Sequence, residues 1–177
     1  MLFYQVQLAD TTSFHHFSTI IDNAPHLRDY VYEVELTGYH LHNTTSILAP
    51  FLAVFAGKLP NLFRIDVVCI PDTMETRFSK TTGSPKAKAL PYIPLHPRFP
   101  AFLSAFTDVS LLCLEKTTFV TFSEFTRMLH ALPKLENLMC YSIRWIAPGS
   151  SHPGADFTKQ PKGTFMPKLR KLLADHI

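Results

Sequence analysis

The sequence predicts an α/β chain in which short parallel strands alternate with helices and stack as a solenoid. Three observations lead there. A spacing of the form apolar-x-x-apolar-x-apolar-x-x-apolar recurs along the chain. Several copies open on nearly the same Leu-Pro-x-Leu turn. Between the copies lie stretches whose apolar residues repeat with helical period.

The first copy of the cassette is Val31, Val34, Leu36 and Tyr39, and the second is Leu62, Ile65, Val67 and Ile70. The third is Phe106, Val109, Leu111 and Leu114, and the fourth is Leu135, Leu138, Cys140 and Ile143. The fifth is Leu169, Leu172, Ala174 and Ile177. Their starts are separated by 31, 44, 29 and 34 residues. The two middle positions of each cassette are two apart, so both side chains fall on one face of a short strand. The earlier apolar residue lies in the turn that enters the strand. Three copies begin alike, with Leu59-Pro60-Asn61-Leu62, Leu132-Pro133-Lys134-Leu135 and Met166-Pro167-Lys168-Leu169; Ala24-Pro25-His26-Leu27 is a looser relative. This L-x-x-L-x-L pattern predicts a leucine-rich-repeat-like solenoid, in which each unit hides its apolar stripe only against its neighbours. The N-terminal run Met1-Leu2-Phe3-Tyr4-Gln5-Val6-Gln7-Leu8 also alternates like a strand.

Helix-period stretches precede the cassettes. Residues 13–24 carry Phe14, Phe17, Ile20 and Ile21, and residues 46–58 carry Ile47, Phe51, Leu52 and Phe55. Pro50 is compatible with the second helix because it falls near the first turn. Residues 100–106 form a shorter stretch, with Phe99 just before it and Phe102, Leu103 and Phe106 within it. Residues 121–132 carry Phe122, Phe125, Met128, Leu129 and Leu132, and open on Thr121-x-x-Glu124, the spacing of a capping box. These stripes are expected to be core.

Two segments interrupt the pattern. Residues 71–98 are polar and proline-rich and read as an insertion loop, which accounts for the 44-residue spacing. Residues 147–165 lack periodicity and replace the helix expected before the fifth cassette. The whole chain, 1–177, reads as one domain, a piece of a longer array. It stops on the last apolar position of a cassette without the polar capping repeat that solenoids need.

Composition excludes several classes. The chain is 46% hydrophobic and 18% charged, a globular profile. Fourteen prolines fit element boundaries. The net charge is +3, concentrated at residues 71–100 and 150–177. A basic-loop nucleic-acid-associated domain is therefore the alternative reading, though no continuous basic groove is evident and nucleic acid is not the expected partner. Cys69, Cys113 and Cys140 are far apart and set among apolar residues, which predicts buried free thiols rather than a disulfide framework. The absence of a basic n-region before an apolar run, and of any apolar run of about 20 residues, predicts a soluble intracellular chain with no membrane partner.

The search for chemistry yields no catalytic, cofactor-binding or metal residues. His15-His16 are adjacent on a helix and diverge, and His40-x-His42 lacks a nearby cysteine or carboxylate. Nucleophile and phosphate-loop signatures are missing, and the neighbours of Cys113, namely Leu111, Leu112 and Leu114, predict a buried, unactivated thiol. The reading is of a protein that is not an enzyme, needs no cofactor, and binds another protein. Asp66, Ser110 and Met139 are expected to face solvent on the strands.

Several tracts carry a family resemblance. They are Phe14-His15-His16-Phe17 through Pro25-His26-Leu27-Arg28-Asp29-Tyr30-Val31, then Leu95-His96-Pro97-Arg98-Phe99, then Leu132-Pro133-Lys134-Leu135-Glu136-Asn137-Leu138, with Trp145 after the fourth strand. The chain resembles the C-terminal repeat region of fungal, basidiomycete-type F-box/leucine-rich-repeat-like proteins. In that family an F-box docks the Skp adaptor of a cullin ubiquitin ligase and the repeats recruit the substrate. The resemblance implies a substrate-recruiting role here, with Skp and cullin as partners only where an F-box lies outside this chain. Leu2 to Leu8 resemble the strand that follows an F-box.

Overall fold

The computed structural model describes residues 4–39, 47–70, 99–119, 121–145 and 169–175. The predicted loops at 71–98 and 147–165, His40 and His42, and most of both basic tracts lie outside these residues. Along the chain run β1 (Gln5–Leu8), α1 (Thr11–Asn23), a 3-10 helix (Pro25–Tyr30), β2 (Glu33–Tyr39), α2 (Leu48–Phe55) and β3 (Arg64–Ile70). There follow α3 (Phe99–Ser104), β4 (Leu111–Glu115), β5 (Thr118–Phe119), α4 (Phe122–His130), β6 (Asn137–Tyr141), β7 (Arg144–Trp145) and β8 (Lys171–Asp175).

Six strands form one open sheet in the order β1-β2-β3-β4-β6-β8, every pair parallel. Strand order follows chain order. A sheet that always grows in one direction through crossovers of one hand receives its helices on one face. The register runs straight across: Val6, Val34, Ile65, Leu112, Leu138 and Leu172 are partners, as are Leu8, Leu36, Val67, Leu114, Cys140 and Ala174. These two rows point at the helices, and all their members on β1 to β6 are buried.

The entry to the sheet is equally regular. The carbonyl of Tyr4 accepts from the N–H groups of Tyr32 and Glu33, and that of Tyr32 from Phe63 and Arg64. The carbonyls of Phe63, Ser110 and Glu136 each accept two N–H groups from the next strand in the same way, all at 2.8–3.1 Å. One residue before this ladder, the N–H of Val31, Leu62, Val109 and Leu135 each donates to the carbonyl three residues earlier, at 3.3–3.4 Å. The Leu-Pro-x-Leu tract is therefore a single tight turn, and proline fits it because its missing N–H is not needed there.

This register corrects the third cassette. It begins at Val109, not Phe106, and runs Val109, Leu112, Leu114 and Thr117. Phe106 lies two residues beyond α3, where its buried ring stacks on Phe51 with centroids 6.0 Å apart. Leu111 turns away from the helices. The sequence misled because Phe106, Val109, Leu111 and Leu114 satisfy the same spacing as the true set. Units three and four then match at a uniform offset of 26 residues, from Phe102 and Met128 through Val109 and Leu135 to Lys116 and Ser142. Thr118–Arg144 and Phe119–Trp145 pair as a second, two-stranded parallel sheet. The fifth cassette keeps the common register at Leu172 and Ala174, and β1 adds a sixth equivalent strand.

The helices start as their first residues dictate. Asp10 caps α1, accepting from the Ser13 N–H at 2.7 Å while Ser13 Oγ accepts from the Asp10 N–H at 3.1 Å. Ser13 is thus the reciprocal residue of the box, and α1 begins two residues earlier than the periodicity predicts. Thr121 Oγ1 accepts from the Glu124 N–H at 3.1 Å, as its spacing predicts. Pro50 sits in the first turn of α2. Phe14, Phe17, Phe51 and Phe55 join α1 to α2, with Phe55 touching the other three rings at 5.1–6.1 Å. Each such buried aromatic contributes roughly 1.5–3 kcal/mol by removal from water, so the helix layer is held by its own rings as well as by the sheet.

Candidate functional site on the open face of the sheet

The face of the sheet turned away from the helix-facing rows is set by the odd partners of the same register. Gln5, Glu33, Arg64, Leu111, Asn137 and Lys171 form one row across it. Gln7, Glu35, Asp66, Cys113, Met139 and Leu173 form the next. Thr37, Val68, Glu115 and Tyr141 continue it. Neighbouring strands lie about 4.8 Å apart, so the face spans roughly 24 Å from β1 to β8.

Its two halves differ in chemistry. On β1 to β3 the side chains are polar and tied together. Arg64 grips Asp66 through two nitrogens, each 2.9 Å from a carboxylate oxygen, and reaches Glu33 at 3.7 Å. This fork raises the already high pKa of Arg64, chiefly through the Asp66 hydrogen bond. Glu35 accepts from Gln7 Nε2 at 3.1 Å and from Thr37 Oγ1 at 3.3 Å. Three carboxylates therefore face one guanidinium, and the patch is acidic.

On β4 and β6 the face carries Leu111, Cys113, Met139 and Tyr141 with Asn137 and Glu115, and Leu173 follows on β8 beside Lys171. Tyr141 Oη lies 3.7 Å from Met139 Sδ. Burial pushes the Cys113 thiol up to about 11, helped by nearby Asp66 and opposed by Arg64. Cys140, on the helix-facing side, is pushed up to about 12 by the same loss of solvent. Both are free and protonated at neutral pH, as their apolar neighbours predict.

Of the three positions expected outward from sequence, Met139 lies half-buried on the open face. Asp66 is on that face too but only 9% exposed, because Arg64 covers it. Ser110 precedes β4, and Cys113 takes the place in the row assigned to it. Sequence reasoning passed over Glu33, Glu35 and Arg64. Strict alternation from Val34, Leu36, Ile65 and Val67 would have placed them outward. His15 and His16 are exposed side by side on α1, and among the described residues no group of three or more His, Cys, Asp or Glu is placed to hold a metal ion. Among the same residues no helix is long and apolar enough to cross a membrane.

Comparison with protein-family models, with curated proteins and with solved structures returns no match to this chain.

Proposed function

We propose that the chain is a leucine-rich-repeat-like solenoid that acts without catalysis as a protein-interaction module, its open sheet face being the binding surface. The supporting observation is the uniform parallel register across six strands, which presents whole rows of side chains on a face that none of the described helices occupies. The turn hydrogen bonds recurring at Val31, Leu62, Val109 and Leu135, and the 26-residue match of units three and four, support the repeat reading. The carboxylates of β2 and β3 on the face are each engaged: Asp66 and Glu33 with Arg64, and Glu35 with Gln7 and Thr37. That arrangement suits recognition better than proton transfer.

The family resemblance narrows the role to substrate recruitment for an F-box type ubiquitin ligase. Sequencing the transcript upstream of the Met1 codon tests this, with an in-frame F-box as the expected result. A longer product carrying it should co-purify with Skp and cullin subunits, and a product that fails to do so removes the ligase role. The acidic half of the open face disfavours the alternative, a nucleic-acid-associated domain, because phosphates would meet carboxylates there.

Site-specific photo-crosslinking tests the binding face itself. A benzoylphenylalanine at Gln7 or Met139 should give protein adducts in cells of the source organism, whereas the same group at exposed Arg127 on α4 should not. Adducts at Arg127 as abundant as those at Gln7 and Met139, or adducts formed with nucleic acid alone, would overturn the reading.

A further inference from the structure

We infer that the occupant of the open face is an extended protein segment that is basic at one end and apolar at the other, lying across the strands. The inference rests on the protein-binding reading of this face and adds the chemistry of the partner. Two observations carry it. Glu33, Glu35 and Asp66 gather on β2 and β3 with Arg64 as their single counter-charge among the described residues, and Gln5 and Gln7 extend the polar strip over β1. Next to it, Leu111, Met139 and Tyr141 present an apolar strip on β4 and β6 around buried Cys113, with Asn137, Glu115 and Lys171 at its borders, and Leu173 on β8 prolongs it at 39% exposure.

The two strips meet along the β3–β4 seam, where Asp66 and Cys113 are register partners. A lysine or arginine laid over Glu35 would add the positive charge the strip lacks, and would keep part of its hydration there. A leucine or phenylalanine laid over Met139 and Leu173 would remove apolar surface from water on both sides. Reversing the segment would lay its apolar side chains over the carboxylates and its lysines over Met139 and Leu173, so the face also sets the direction in which the segment lies. Spanning roughly 24 Å takes an extended segment of about 7–8 residues.

Four synthetic ten-residue peptides with a fluorescent label test this against the full chain by anisotropy. The first has four lysines followed by leucine and phenylalanine. The second replaces its lysines with glutamates, the third its apolar residues with serines, and the fourth its lysines with serines. The first should bind, and the other three should bind at least tenfold more weakly. Its affinity should fall as salt rises, because exposed charges are screened. The double variant Gln5→Lys and Glu35→Lys reverses the sign of the strip while each new lysine faces an acidic neighbour, Glu33 or Asp66, so the fold is kept. It should weaken the first peptide at least tenfold and strengthen the second. Equal binding of the first two peptides, binding of none, or indifference of the first to the double variant would overturn the inference. Open-face crosslinks to a protein would leave the binding reading standing in each of those cases.

Discussion

Lys116 and Ser142 occupy equivalent places one residue beyond the paired strands β4 and β6, and both hold a left-handed backbone, with φ of 50° and 57°. The Lys116 N–H donates to the Tyr141 carbonyl at 2.7 Å, so the turn of one unit is fastened to the strand of the next. The shared conformation directs the chain from the main sheet into the small sheet formed by Thr118–Arg144 and Phe119–Trp145. A side chain in this region costs roughly 1–2 kcal/mol, while glycine adopts it without strain. Ser142→Gly should therefore equal or exceed the native stability, by at most about 1–2 kcal/mol, and Ser142→Val should fall below it because its branched Cβ crowds this region further than serine does, as read from urea midpoints. A valine variant as stable as the native chain would mean that the bend is not required.

Thr117 stands where the neighbouring unit has Ile143, and is fully buried with a hydroxyl that has no hydrogen-bond partner among the described residues. An unsatisfied buried hydroxyl costs on the order of 1–3 kcal/mol. Valine has nearly the same shape and no such penalty. Thr117→Val should raise the stability by about 1 kcal/mol, and thermal melting checks it. A loss of stability would show that the hydroxyl has a partner.

The rim link between Lys134 and Asp108 and the cassette residue Leu135 separate charge from burial. Lys134 reaches Asp108 across the turns of two units, and this contact holds the Asp108 carboxyl below its ordinary range. Both side chains are about half exposed, so the pair should contribute little. Lys134→Ala should shift stability by less than about 1 kcal/mol. Leu135→Ala, which empties a buried site next to it, should cost about 2–5 kcal/mol. Denaturant titration of the two variants side by side reads the difference.

The raised thiols give the fold a pH dependence. In the unfolded chain Cys113 and Cys140 ionise near 9, whereas in the folded chain they hold their protons to about 11 and about 12. The folded state thus binds more protons between these values, and stability falls as pH rises. It is unaffected by these groups below pH 9 and declines from there toward pH 11 to 12. Cys113→Ala with Cys140→Ala should flatten this alkaline decline, even though the double variant starts from a lower stability at pH 7. An unchanged slope would exclude the two thiols as its source.

The parts of the fold that could be read from sequence are those where spacing admits one solution. Val34 with Leu36, Ile65 with Val67, and Leu138 with Cys140 each lie two apart behind a turn, and each pair faces the helices. The third strand escaped because two apolar sets overlap there, one starting at Phe106 and one at Val109. Only pairing with Ile65 and Leu138 decides between them. The open face was half visible. Alternation assigns Asp66 and Met139 to it, but the Arg64 fork that covers Asp66 joins a residue to its neighbour two places on and to Glu33 on another strand. Such an arrangement leaves no mark in local spacing.

The row of carbonyls at Tyr4, Tyr32, Phe63, Ser110 and Glu136 separates what the units share from what they do not. From Ile65 to Leu112 the chain travels 47 residues and from Leu112 to Leu138 only 26, yet both steps end in the same alignment. Closing the longer excursion costs only about 0.5 kcal/mol more, since the loss of freedom grows with the logarithm of length. Connections can therefore lengthen, shorten or change composition with little penalty, while the strand surfaces stay in step and retain their own pattern of residues.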